Sequence, residues 1–403
     1  MTIQGKFEKL GTDAAPGQEV RLAHQAGDWM TGAVLPGRKV DFSHGDVDAF
    51  PPTPTAFEAI ANGVSRGGAQ AYTEYRGDAD IRATLAGRLA DFTGAPVDPQ
   101  DGMILTPGTQ GALFLAVAAC VGRGDKVAIV QPDYFANRKL VEFFEGEICP
   151  VRMRYKDKDR DAGLDLDQLE EAFRDGAKLF LFSNPNNPAG VVYSADEIAG
   201  IAALAGQYGA SVIVDQLYSR LLYTGETYTH LRAQAIDPAN VVTIMGPSKT
   251  ESLSGYRLGA AFGAPALIER MEKLQAIVSL RAAGYAQAVL TTWFAEPAGW
   301  MADRIRAHQA IRDDLVALFR GIDGVTVRAP QAGSYLFPEL PPLRIAPSEF
   351  VAALRTQAAV VVTPGTEFSP HAARSVRLNV SQDHKAAAAA VTRIATLIER
   401  YRA

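Results

Sequence analysis

Five short apolar runs, the first three each followed by a helical stretch, constrain this chain more than anything else in it. Met103-Ile104-Leu105, Val127-Ala128-Ile129-Val130, Leu179-Phe180-Leu181-Phe182, Val212-Ile213-Val214 and Val241-Val242-Thr243-Ile244-Met245 show little polar alternation. That is the pattern of strands buried on both faces of a parallel sheet; a further strand is expected at 258–262. Helical periodicity lies between them at 79–93, 111–121, 134–144 and 166–173, and again after the capping box Ser194-Ala195-Asp196-Glu197. Repeated β-α units predict an α/β fold with a doubly wound, mostly parallel sheet, in which ligands sit at the carboxyl ends of the strands.

The flanks differ. Residues 1–50 read as an arm with one helix, closed by Pro51-Pro52, and a helix is expected at 55–65. After a helix at 265–279 the pattern becomes α+β. It holds a long helical region over 286–318, short extended pieces at 325–327, 334–337, 360–362 and 375–380, and helices at 347–357 and 383–401. The expected organisation is an arm (1–50) belonging with a small C-terminal domain (291–403), and a large domain (51–290) between them.

The residues that follow each strand of the large domain carry the chemistry. Thr106-Pro107-Gly108-Thr109-Gln110-Gly111 is a turn opening a helix, suited to a phosphate or serving only as a capped turn. In Gln131-Pro132-Asp133-Tyr134 the tyrosine either stacks on a ring or simply packs. Ser183-Asn184-Pro185-Asn186-Asn187-Pro188-Ala189-Gly190 holds a side-chain amide in a constrained loop. Asp215 ends a buried strand, where an acid is costly unless it meets a cation from the protein or from a ligand. Last come Lys249 and, eight residues on, Arg257, among hydroxyls and glycines in Gly246-Pro247-Ser248-Lys249-Thr250-Glu251-Ser252-Leu253-Ser254-Gly255-Tyr256-Arg257-Leu258-Gly259. One ligand accounts for all of them: pyridoxal 5'-phosphate. Its aldehyde meets Lys249, its phosphate meets Arg257 and the Gly108 turn, its ring nitrogen meets Asp215 and its ring face meets Tyr134.

Composition narrows the alternatives. A net charge of -5 with no basic run argues against nucleic acid. Cys120 and Cys149 are too few for a disulfide framework, and the histidines (His24, His44, His230, His308, His371, His384) form no ligand pair. The expectation is therefore no metal. The first residues lack a signal-peptide core and the longest apolar run, 112–121, is too short to span a bilayer, so a cytoplasmic protein without membrane contact is expected.

On Ser248-Lys249 to Arg257-Leu258-Gly259, with Asn187-Pro188-Ala189-Gly190 and Asp215-Gln216-Leu217-Tyr218 upstream, the chain resembles the class I/II aminotransferases, pyridoxal-phosphate enzymes of fold type I. The resemblance implies Lys249 as the Schiff-base lysine, Arg257 as the phosphate arginine and Asp215 as the partner of the ring nitrogen. Tyr218 and Asn187 become donors to the phenolic oxygen, Thr109 and Gln110 join Gly108 and Ser248 around the phosphate, and Tyr134 covers the ring. Arg377 becomes the clamp for the substrate α-carboxylate, with Gly45 near the substrate. Tyr72 corresponds to the tyrosine that reaches the neighbouring subunit's phosphate, which implies a homodimer. Departures from the family pattern are Gly246 in place of a serine, Gln216 in place of a glutamate, Glu251, and the loop 279–285.

The activity so implied is transfer of an amino group from an L-amino acid to a 2-oxo acid through the pyridoxamine form, with Lys249 moving the proton. A lyase, cyclase or decarboxylase on the same fold is the rival. A ligand-sensing regulator lacks a basic DNA-binding extension, and a nicotinamide dehydrogenase lacks a Gly-x-Gly-x-x-Gly after the first strands. The donor stays open: Arg281 suits an acidic side chain, while Ala282, Ala283 and Tyr285 suit an apolar or aromatic one.

Overall fold

The computed structural model describes residues 2–12, 15, 30–156 and 162–403; His24 and most of the arm between 13 and 29 lie outside them. The arm's helix is Ile3–Leu10, and β1 (Val40–Asp41) follows. The central sheet has eight strands: β2 (Met103–Pro107), β3 (Lys126–Gln131), β4 (Glu147–Arg154), β5 (Gly163–Leu164), β6 (Leu179–Ser183), β7 (Ser211–Asp215), β8 (Val241–Met245) and β9 (Leu258–Gly263). Their order is β2-β9-β8-β7-β6-β3-β4-β5. The β-branched runs are buried throughout, with helices such as Gly108–Cys120 and Pro265–Val278 on one face and Leu166–Arg174 and Ala195–Tyr208 on the other.

The strand expected at 258–262 is present but does not run with the others. β9 is antiparallel to both β2 and β8. Because β2 therefore runs in the same direction as β8, the ends of β2, β3, β6, β7 and β8 share one edge, and β9 begins there. The loop 246–257 thus leaves and re-enters the sheet at a single edge, carrying Lys249 and Arg257 with it.

The second sheet is small: β10 (Tyr335–Leu336), β13 (Val376–Asn379) and β12 (Thr363–Pro364), with β13 central and antiparallel to both neighbours. β1 pairs in parallel with β11 (Val360–Val361), which ties residues 40–41 to the C-terminal part. Val40 and Phe42 enter one core with Ile311, Leu315, Phe350, Leu378 and Ile394.

Two expectations fail here. The helical region over 286–318 is broken. A one-turn helix at Gly284–Gln287 and a 3-10 segment, Ala288–Thr292, stop before the helix Trp300–Arg320. Phe294 at φ 61° and Gly299 at φ 82° leave the right-handed region on either side of Pro297, and the Arg220 guanidinium sits 4.0 Å over the Phe294 ring. Residues 325–327 form no strand: only Thr326 pairs, in an isolated bridge to Glu339, which itself bridges Ser375.

Candidate active site

The shared strand edge opens into a cavity of about 270 Å³ lined by Thr109, Gln110, Tyr134, Asn187, Asp215, Tyr218, Ser248, Lys249, Arg257 and Arg377, together with Ser43, His44, Phe135, Ser183 and Tyr335. Ten of the residues picked from the sequence therefore meet in one place. Gly45 does not line it; it borders an adjoining cavity of about 620 Å³ that Lys249, Ser248 and His44 also face. Tyr72 lies outside both, 83% exposed on the surface of the chain. A cavity of about 900 Å³ beside β4 contains none of the candidate residues.

At one end of the site the helix Gly108–Cys120 begins on Pro107, which offers no side-chain cap. Its first N-H groups and the positive end of its dipole face the cavity. Gly108 holds φ 75°, which favours glycine, and its missing Cβ, which would lie 2.6 Å from Nη2 of Arg257, leaves room for the guanidinium. Gly246 is explained in the same way: a Cβ would press on the Thr109 methyl at 2.7 Å. The serine expected there would meet Thr109, and the loop hydroxyls that line the cavity are those of Ser248, which donates to the Leu258 carbonyl at 3.3 Å, and Ser254. The Tyr134 hydroxyl donates to Oε1 of Gln110 at 2.9 Å, which fixes the ring at the wall.

In the middle, Asp215 receives one hydrogen bond, from the Leu217 N-H to Oδ1 at 3.0 Å. Burial pushes its pKa up to about 6, against that single donor. A carboxylate so sparsely satisfied at the end of a buried strand calls for a cation.

At the far end Arg377 is 1% exposed. Its Nη1 donates to Oδ1 of Asn187 at 3.0 Å and its Nη2 to the Ser43 carbonyl at 3.2 Å. Its Nε is buried with no partner among the described residues. With Oδ1 of Asn187 committed to Arg377, the amide nitrogen is the atom left to donate.

Tyr335 was missed by the sequence reading, which saw 334–337 only as a strand. Its ring lies 4.1 Å from the Arg377 guanidinium, and its oxygen accepts from the Tyr218 hydroxyl at 2.8 Å. Burial opposes ionisation of this phenol, but the charges of Arg377 and Lys249 outweigh it and hold its pKa below the usual range. Burial, with Tyr335 next, drives Tyr218 the other way. The signal available in the sequence was an aromatic on a strand facing the Arg377 strand.

The family model "Aminotransferase class I and II" matches residues 38–394. The chain is similar to the aspartate aminotransferase of Sulfolobus acidocaldarius, 28% identical over 83% of this chain and 84% of that one. It is also similar to the aspartate/prephenate aminotransferase of Thermus thermophilus, at 27% over 85% and 88%. A crystal structure of an aspartate aminotransferase from Rhodobacter sphaeroides superposes with a TM-score of 0.94, at 70% identity over the whole of both chains. The chain belongs to the class I and II aminotransferases. It is a transaminase of fold type I, and nothing in these relatives favours the lyase or cyclase alternative. No helix among the described residues is long and apolar enough to cross a membrane.

Proposed function

We propose that the cavity binds pyridoxal 5'-phosphate and that this aminotransferase takes its amino group from a dicarboxylic amino acid, aspartate or glutamate, acting in the cytoplasm as a homodimer. The observation that carries this reading is the convergence of Lys249, Arg257, Asp215, Asn187 and Arg377 on one cavity. The groups present fit the cofactor: an uncapped helix start beside Arg257 for the phosphate, and an underpaired buried carboxylate for the ring nitrogen. When bound, the cofactor supplies an electron-accepting ring that stabilises negative charge at the substrate α-carbon.

The chain's own residues do the rest. Arg377 takes the substrate α-carboxylate through its free Nε and an adjoining Nη, which sets the α-carbon above the cavity floor. Nζ of Lys249 removes the α-proton and returns a proton on the other side of the exchange. Asp215, ionised, would hold the proton on the ring nitrogen, and Tyr134, on the same cavity wall, would cover a ring face. The amide nitrogen of Asn187 would donate to the phenolic oxygen. The Tyr218 hydroxyl joins it by turning its proton from Tyr335. The same reading divides the chain into the arm, the large part to 290 and the small part from 291.

Two features support the dimer and the donor. Tyr72, Phe57, Ile277 and Leu280 are exposed apolar side chains in segments that neighbour one another, and Arg281 lies 5.7 Å and 5.5 Å from the Tyr72 and Tyr75 rings among them. In the proposed homodimer a second copy covers this face, including Tyr72 and Arg281. The named relatives act on aspartate or on aspartate and prephenate, and Arg281 is the cation that would take the second carboxylate. Steady-state assays with 2-oxoglutarate and oxaloacetate as acceptors test it. L-Aspartate and L-glutamate are expected to exceed L-alanine and L-phenylalanine in kcat/KM by at least tenfold, and Arg281→Ala to abolish that preference by raising KM for the dicarboxylic donors alone. Equal use of alanine, or an unchanged preference in Arg281→Ala, would remove the acidic-donor assignment.

A further inference from the structure

Asp133 is buried one residue before Tyr134 and lines no part of the cavity. Its carboxylate nevertheless gathers three donors. The Tyr134 N-H donates to Oδ1 at 2.7 Å, the Ser183 N-H to Oδ2 at 2.9 Å, and the Ser183 hydroxyl to Oδ1 in a very short bond. Burial pushes the Asp133 pKa up, opposed by these three donors, which favour the ionised form. Asparagine has the same shape. An asparagine, however, would set an NH2 against one of the three donors, so only a carboxylate accepts them all.

The bonds continue from there. With its proton given to Asp133, the Ser183 oxygen accepts the Asn187 N-H at 3.1 Å. Oδ1 of Asn187 accepts from Arg377 at 3.0 Å. On its other side the Asp133 N-H donates to the Phe368 carbonyl at 3.2 Å, and the Phe368 ring lies 4.6 Å from the Arg377 guanidinium. Asp133 thus touches both the loop that holds Asn187 and the segment beneath the Arg377 clamp.

We propose that Asp133, acting through Ser183, is a positioning residue that sets the Asn187 amide between the cofactor's phenolic oxygen and Arg377. This rests on the reading above that Asn187 donates to that oxygen. Three holoenzyme variants test it: Asn187→Ala, Asp133→Asn and Ser183→Ala. The readouts are the pH at which the bound cofactor's visible absorbance titrates, and KM for the donor separately from kcat. Removing a donor from an ionised oxygen raises its pKa, so Asn187→Ala should move the titration up by about one unit or more. Asp133→Asn and Ser183→Ala should move it in the same direction by a fraction of that, and raise donor KM severalfold. Combined with Asn187→Ala, neither should add a further shift, because all act through one amide.

If Asn187→Ala moves the titration while Asp133→Asn and Ser183→Ala leave both titration and KM at wild-type values, the positioning role is overturned and the role of Asn187 stands. If Asn187→Ala moves nothing, the Asn187 reading fails and takes the positioning role with it. Should Asp133→Asn not fold, Ser183→Ala alone decides, since it cuts the same chain without touching a charge.

Discussion

Asp215 shows how a single residue divides its value between stability and chemistry. Its pKa in the fold, about 6, lies above that of an unfolded aspartate, so the folded chain holds the proton more tightly. Folding stability is therefore lost as pH rises through the interval from about 4 to 6, by about 3 kcal/mol in the cofactor-free protein. Asp215→Asn should raise the thermal midpoint of the cofactor-free protein at pH 7.5 while lowering kcat by at least a hundredfold. Calorimetry beside a rate assay checks both, and a destabilised cofactor-free variant would contradict the account. Asp215 was legible in the sequence because a strand end in a buried sheet has few ways to satisfy a charge. The pairing of Asp133 with Ser183 was not. The two are fifty positions apart, and only the adjacency of β3 and β6 in the sheet order brings them together.

At the scale of an element, the loop 246–257 is braced from behind. Arg220 lies two residues past Tyr218 and pairs with Glu251 in the lysine loop. It also pairs with Glu296, to Oε1 at 2.8 Å and Oε2 at 3.0 Å. Arg304 donates to the Ser252 hydroxyl at 2.7 Å, where the backbone takes φ 59°. Glu251, an odd residue when the sequence is read alone, becomes intelligible as one half of this brace; its partner Arg220 is 31 positions away, too far for any local pattern to reveal. Burial pushes the Glu251 pKa up to about 7, with Arg220 opposing and Glu296 adding to the rise. Removing Arg220 leaves two buried carboxylates unpaired, so Arg220→Ala should cost about 3–5 kcal/mol in denaturant unfolding. Glu251→Gln should cost far less, because Glu296 keeps the arginine paired. Equal costs would mean that the brace is not electrostatic. The elements themselves were read well where runs are continuous, as in β6 to β8. They were read poorly where conformation answers to tertiary contacts, as at Phe294, or where direction depends on a loop turning back, as in β9.

For the whole molecule, the join between the arm, the long helix and the C-terminal sheet passes through a neutral histidine. His308 is 1% exposed; its Nδ1 donates to the Arg304 carbonyl at 2.8 Å and its Nε2 accepts from the Ser381 hydroxyl at 2.6 Å. Burial lowers its pKa to about 4, with Arg304 adding to the effect and the bond to the Arg304 carbonyl opposing it. The unfolded chain binds the proton first as pH falls, so stability is intact above about 6.5 and is lost down to about 4, by roughly 3 kcal/mol. Urea unfolding at pH 7.5 and pH 5 should show the wild type losing about 2 kcal/mol relative to His308→Gln between the two pH values, against the opposite contribution of Asp215, with His308→Gln the less stable at pH 7.5. The same pH dependence in both proteins would dismiss the role.

The reversed direction of β9 also has a mechanical meaning. Lys249 and Arg257 hang on a closed loop with both feet in the same rigid sheet, whereas Arg377 rides on the small sheet and meets the large one through Asn187. Any tilt of the small sheet therefore moves Arg377 relative to Asn187 and leaves both ends of the loop that carries Lys249 and Arg257 in place.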